Sequence, residues 1–347
     1  MRAKLKPLSK QVIVITGASS GIGLTTARRA VREGARVVLA ARNRDALADV
    51  ARDLEHQGAE VAYVAADVSQ RADVERIAQT AIERFGGFDT WVNNAGVSIY
   101  GRIEETPVDD MRQLFETDFW GVVHGSLAAV GHLKRRGGAL INVGSVVSDR
   151  AVPLQGVYSA SKHAVKGFTD ALRMELEKQR APVSVTLIKP AAIDTLYSEH
   201  AKNLLPNEPS LPPPVYAPET VAEAILHAAQ HPVRDVFVGG GAKLMAAAAY
   251  FVPRLMDRYM NLTMFRAQQR GPRRRRRRDH NLYGPARDGR ERSGQAAHVM
   301  ERSAYTRAAL HRPTTALTAL GAIAIGALVW QRMHAGNARR AALRPYT

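Results

Sequence analysis

Along the first 240 residues, short apolar runs alternate with longer stretches in which apolar positions recur every three or four residues. The runs at 12–16, 36–41, 61–65, 90–92, 139–143, 183–188 and 236–238 are nearly continuous rather than alternating, as expected of strands buried on both faces. Helix-length stretches at 22–33, 72–85, 108–135 and 158–180 lie between them. Strand–helix alternation predicts an α/β fold: a parallel sheet with right-handed crossovers and helices on both faces.

The pattern loosens beyond residue 189. Residues 203–218 hold six prolines and read as a loop or lid, and 218–230 reads as a helix with Glu219 in its first turn. Residues 242–266 form a second apolar stretch carrying Met245, Met256, Met260 and Met264. Packing against a core or an oligomer partner is the commoner use of such a stretch; an adaptable surface for substrate or lipid is the other. Residues 271–313 are rich in Arg and Gly, almost without large apolar side chains, and read as a disordered linker after a catalytic domain spanning 1–270. Residues 314–330 are an uncharged run, and 331–347 a basic tail.

Charge sharpens this division. The 347 residues carry a net charge of +17, but residues 271–347 hold sixteen arginines against four acids (Asp279, Asp288, Glu291 and Glu301), an excess of twelve. The remaining +5 belongs to an ordinary, mildly basic domain, so no specific nucleic-acid partner is expected. The six consecutive arginines at 273–278 read as a solvated linker; the adjacent apolar run favours anionic lipid over nucleic acid as a partner. As a helix, 314–330 would reach about 25 Å, short of a ~30 Å hydrocarbon core. It reads equally as a membrane-associated tail helix or a soluble packing helix. No secretory signal opens the chain, so the expected localisation is cytoplasmic, with membrane attachment through the C-terminal segment as the variant. Zero cysteines exclude disulfides, thiolate metal sites and a cysteine nucleophile. His227 and His231 have helical metal-ligand spacing but no acidic partner, so no metal is expected.

The first strand runs into Gly17-Ala18-Ser19-Ser20-Gly21-Ile22-Gly23 and then a helix. Glycines here permit a tight turn, backbone approach to a pyrophosphate and close helix–strand contact, while the helix N-terminus offers unsatisfied N–H groups. Strand, turn and helix in this order predict a dinucleotide site. The second strand ends in Ala40-Ala41-Arg42-Asn43-Arg44. The acid that would take a ribose 2′-hydroxyl is missing, and Arg42 suits a 2′-phosphate. NADP(H) is therefore expected ahead of NAD(H), unless Arg42 and Arg44 only cap a surface loop.

Tyr158 and Lys162 lie four residues apart at the start of a predicted helix and share a face. A nearby ammonium should lower the phenol's pKa from about 10 and let Tyr158 exchange a proton with a carbonyl oxygen. Ser145 follows a buried strand and could bond the same oxygen.

With these residues the chain resembles the short-chain dehydrogenase/reductase family over about residues 8–240. The motifs are 16–23, Asp67-Val68, Asn93-Asn94-Ala95-Gly96, Ser145, Tyr158-Ser159-Ala160-Ser161-Lys162, and Lys189-Pro190 with Thr195. The resemblance implies a single doubly wound Rossmann-type domain with a seven-stranded parallel sheet, and a homo-oligomer formed through the helices at 108–135 and 158–180. It implies that Asp67 and Val68 approach the adenine and that Asn94, Ala95 and Gly96 line the cofactor cleft. Lys162 would also hold the nicotinamide ribose, and Pro190, Ile193 and Thr195 would lie by the carboxamide. Two positions depart from the family: Asp118 stands where an Asn usually supports the proton relay, and Ala191 follows Pro190 where Gly is usual. The expected activity is hydride transfer between NADP(H) and a small-molecule carbonyl or secondary alcohol. Asp118 leaves open a second class, a cofactor-binding sensor or scaffold with weak catalysis.

Overall fold

The computed structural model describes residues 3–273, 279–286, 289–296 and 298–311. The chain divides into one compact unit up to Thr306 and a second from Arg307. The apolar run at 314–330, the basic tail at 331–347 and arginines 274–278 lie outside the described residues.

All seven expected strands form and join one sheet. They are β1 (Val12–Thr16), β2 (Arg36–Ala41), β3 (Val61–Ala65), β4 (Thr90–Asn93), β5 (Gly138–Val143), β6 (Val183–Pro190) and β7 (Asp235–Val238). Their order is β7-β6-β5-β4-β1-β2-β3, and every pairing is parallel. Strand order reverses between β1 and β4, so their C-terminal ends diverge into a crevice, where ligands bind in such sheets.

Helices α1 (Gly21–Arg32), α2 (Arg44–Glu55), α3 (Arg71–Phe85), α4 (Val108–Phe115), α5 (Gly121–Arg136) and α6 (Gly156–Lys178) cover the faces. Asn43 caps α2, its side chain accepting from Ala46 N. The core is aliphatic: Ile13, Ile15, Leu39 and Leu140 are fully buried. Within it runs a polar ladder that ties the strand ends together. Trp91 Nε1 donates to Asn93 Oδ1 (2.7 Å), Asn93 Nδ2 to Asn142 Oδ1 (2.9 Å), and Asn142 Nδ2 to Thr169 Oγ1 (2.9 Å). Each buried amide finds a partner, so burial costs little and the ends of β4 and β5 are fixed against α6.

The predicted helix at 108–135 is interrupted. Between α4 and α5 the turn Glu116–Trp120 widens to π geometry, a distortion common at functional sites. Beyond β6 come a one-turn helix α7 (Tyr197–His200), then α8 (Pro218–Gln230), α9 (Gly240–Phe251) and α10 (Pro253–Ala267). The apolar stretch at 242–266 thus breaks at Pro253, which opens α10 because proline supplies no amide to a helix interior. Among the described residues no helix is long and apolar enough to cross a membrane.

Candidate active site

After β1 the chain turns through Gly17 at φ +66°, a conformation glycine adopts without steric cost. A β carbon on Gly23 would fall 2.1 Å from Gly17 O, so α1 can press onto the turn only with glycine there. Asn94 stitches the turn to β4: its Nδ2 donates to Thr16 O (2.9 Å), and its backbone N donates to Thr16 Oγ1 (3.0 Å). Asp67 is likewise partly structural, its Oδ1 accepting from Ser69 N at 2.9 Å.

A cavity of about 920 Å³ opens at the crevice. Of the residues expected to hold a cofactor, all but Gly23 border it, from Gly17, Ser19, Ser20, Gly21 and Ile22 to Pro190, Ile193 and Thr195. The proline-rich lid contributes Leu211, Pro212, Pro213 and Pro214.

Ser145, Tyr158 and Lys162 meet on one wall. Ser145 lies two residues beyond β5 and caps the short turn Val146–Ser148, its Oγ accepting from Val147 N at 3.3 Å. The Tyr158 hydroxyl lies near those of Ser145 and Tyr197. Lys162 Nζ sits 5.5 Å from the centre of the Tyr158 ring and donates to Val143 O at 3.5 Å.

Asp118 does not border the cavity. It is completely buried behind Lys162, with Oδ2 3.6 Å from Nζ. Its Oδ1 accepts from Val97 N at 2.7 Å, and Ser161 Oγ donates to Oδ2 at 3.5 Å. The π turn carries this carboxylate inward.

The pair alters the acidity expected from sequence. The Lys162 ammonium does pull the Tyr158 phenol down, but burial pushes it up more strongly and Asp118 adds to the rise, so its pKa lies above the ordinary value. The spacing of Tyr158 and Lys162 foretold only the ammonium. Burial disfavours the charge on Lys162, yet Asp118 and Tyr158 outweigh that and hold its pKa above normal. Burial likewise raises the Asp118 carboxyl, against the opposing pull of Lys162.

Two groups of site residues escaped the sequence reading. The first is Tyr197, whose hydroxyl lies 2.7 Å from Ser98 Oγ and 2.8 Å from Gln155 Oε1, with its ring centre 5.4 Å from that of Tyr158. No spacing rule could pair residues 158 and 197 without the fold of the chain beyond β6.

The second is the segment expected to be an unpacked linker, whose described part instead straps the cleft. Gly289 N donates to Ser19 O and Gly21 N donates to Arg290 O, both at 2.9 Å. Glu291 pairs with Arg28 and accepts from Thr25 Oγ1 at 2.9 Å. On the opposite lip, Arg290 pairs with Glu199 at 2.7 Å and Ser293 Oγ donates to Asp194 Oδ1 at 2.5 Å. Arg42 donates to Asn281 O, so its guanidinium is engaged by the strap. Leu282 is fully buried against Val97, Ile99 and Leu114, and Val299–Met300 pairs with Val215–Tyr216. Leu282, a lone leucine in an otherwise polar, arginine-rich stretch, was the available signal.

Comparison with known proteins agrees with this geometry. The short chain dehydrogenase family model matches residues 11–204. An uncharacterized oxidoreductase, YxnA, of Bacillus subtilis (strain 168) is 47% identical over 326 residues, covering 93% of this chain and 92% of that protein. A short chain dehydrogenase/reductase from Burkholderia phymatum, solved in complex with NAD, shares 28% identity and a TM-score of 0.65 over 72% of this chain and 96% of that one. An alcohol dehydrogenase from the archaeon Thermococcus sibiricus, complexed with 5-hydroxy-NADP, shares 31% identity and a TM-score of 0.58 over 65% and 95%.

The chain belongs to the short-chain dehydrogenase/reductase family, and it is an oxidoreductase by that membership. A match spanning 93% of the chain necessarily runs through the strap, so the likeness to YxnA extends beyond the Rossmann-type core.

Proposed function

We propose that the protein is an NADP(H)-dependent oxidoreductase that interconverts a small-molecule carbonyl compound and its alcohol. The observation that carries this reading is the convergence of Ser145, Tyr158 and Lys162 on the wall of a cavity continuous with the glycine turn. The cradle suits a dinucleotide: the Gly17 turn and the start of α1 border the cavity with backbone, and a Gly23 side chain would close the approach. When bound, the dinucleotide supplies or accepts the hydride at the carbonyl carbon. Tyr158 Oη gives its proton to the carbonyl oxygen in reduction and retrieves it in oxidation. Ser145 Oγ accepts from Val147 N, which leaves its O–H to donate to the same oxygen. Lys162 stabilises the phenolate that proton donation leaves behind, and Asp118 fixes Lys162 in place. Arg42 borders the cavity at the end of β2, and residues 40–44 hold no acid to take a ribose 2′-hydroxyl, which supports NADP(H) over NAD(H).

Exposed Trp120, Leu127 and Met174 on the π turn, α5 and α6 support a homo-oligomer formed through those helices.

The test is NADPH oxidation against a panel of aldehydes and ketones. Tyr158→Phe should lose nearly all turnover while still binding NADPH, read by nucleotide fluorescence. Robust turnover in that variant overturns the assignment. One observation favours a second reading: Asp118 neutralises Lys162 and leaves Tyr158 a poorer proton exchanger. A sensor or scaffold of this kind would bind NADPH tightly with no turnover across the panel.

A further inference from the structure

Among the described residues sixteen large apolar side chains are exposed, and seven of them fall between residues 244 and 262: Leu244, Tyr250, Phe251, Val252, Leu255, Tyr259 and Leu262. They cluster on α9 and α10. On α10 the residues Leu255, Tyr259 and Leu262 recur at helical spacing and form one exposed stripe. Arg254 and Arg258 form a second exposed stripe beside it, and exposed Arg266 ends the apolar stripe one turn beyond Leu262. From 240 to 270 the chain holds five basic residues and one acid, Asp257, which is paired with Arg150. Among the described residues Arg254, Arg258 and Arg266 have no acidic partner. The inner side of the same helices borders the cavity through Met245, Ala248, Met256 and Met264. Leu244, Val252, Leu255 and Tyr259 are both exposed and cavity-bordering, so they form the lip of the mouth.

We propose that the α9–α10 face docks on the surface of an anionic lipid bilayer, so that the cavity opens toward the lipid and takes a lipophilic carbonyl or alcohol from it. The charge selects the occupant. A second copy seated on this face by two-fold symmetry would oppose one basic patch with another, whose single acid, Asp257, is already paired with Arg150. An anionic headgroup layer neutralises the patch while the apolar stripe enters the acyl boundary. Tyr250 and Tyr259 suit the interfacial depth, with an apolar ring and a wet hydroxyl. The substrate class rests on the carbonyl–alcohol reading above; the docking does not, because it is read without turnover.

The experiment is flotation of the full chain with vesicles of phosphatidylcholine alone and with about one third phosphatidylserine. Binding is expected only to the anionic vesicles and should fall as salt rises. The double variant Phe251→Glu/Leu262→Glu changes exposed side chains that do not border the cavity, so the fold, checked by circular dichroism, should persist. It should lose at least tenfold in vesicle partition. Arg254→Gln should lose about fivefold, the effect of one basic residue near an anionic surface. Wild type that ignores anionic vesicles, or a double variant that binds them as wild type does, overturns the docking. So does a double variant that turns a dimer into a monomer in light scattering without vesicles, because the face would then belong to a second copy. With docking intact, kcat/KM that stays flat along a series of lengthening alkyl ketones overturns the lipophilic substrate alone.

Discussion

Replacing Asp118 with asparagine removes a buried negative charge while keeping an acceptor for Val97 N. Lys162 Nζ lies 3.6 Å from the Asp118 carboxylate and 5.5 Å from the centre of the Tyr158 ring. End to end these distances put the carboxylate within about 9 Å of the phenol ring. At an effective dielectric constant of about 20, a unit charge at ~9 Å acts on a phenolate with about 1.8 kcal/mol, before screening by solvent in the open cleft. The sign follows from the causes. Asp118 holds the Tyr158 pKa up, so its neutral replacement lets Lys162 bring it down. Alcohol oxidation needs the phenolate and therefore gains on its acidic limb, which moves to lower pH. Carbonyl reduction needs the phenol, and its alkaline limb moves down with it. The assay is kcat/KM against pH in both directions, with the melting temperature measured in parallel. A purely structural loss would lower both profiles without moving their limbs. Limbs that stay in place, or move up, refute the electrostatic role of Asp118.

Three further outcomes are expected. Arg42→Ala should lower kcat/KM with NADPH by about 10- to 100-fold, the worth of a charge-assisted bond to phosphate, and leave NADH nearly unchanged; equal losses would remove Arg42 from cofactor choice. Gly23→Ala should lower NADPH affinity at least tenfold, because its β carbon must displace the Gly17 carbonyl, and titration at unchanged affinity would contradict that contact. Glu291→Ala frees the strap from Arg28 and Thr25, so stopped-flow traces should show NADPH leaving about fivefold faster, consistent with losing one partly buried ion pair and one hydrogen bond; unchanged rates would mean that the strap stays closed without it.

Local chemistry made the core of this protein legible. The runs of β1, β2, β4, β5 and β6 are apolar because both faces of these inner strands are covered, and that property is written in consecutive residues. The turn from Gly17 to Gly23 is equally local, since its demands are steric and fall within one strand–helix junction. Tyr158 and Lys162 share a face by helical spacing alone.

Tertiary structure decided what spacing cannot encode. Asp118 and Lys162 come from different helical elements, and it is burial of the Tyr158 phenol, with Asp118 adding to it, that reverses the expected shift of its pKa. Tyr197 reaches Tyr158 only through the course of the chain between β6 and α7. The arginine-rich segment reads as unpacked because its average composition cannot build a core, yet it needs none of its own. Leu282 fills a gap in an existing core, while Arg290 and Glu291 take partners already held in place on the two lips of the cleft. Average polarity measures whether a segment can fold alone. Whether it can settle on a surface another part of the chain has already built depends on a few contacts between residues distant in sequence.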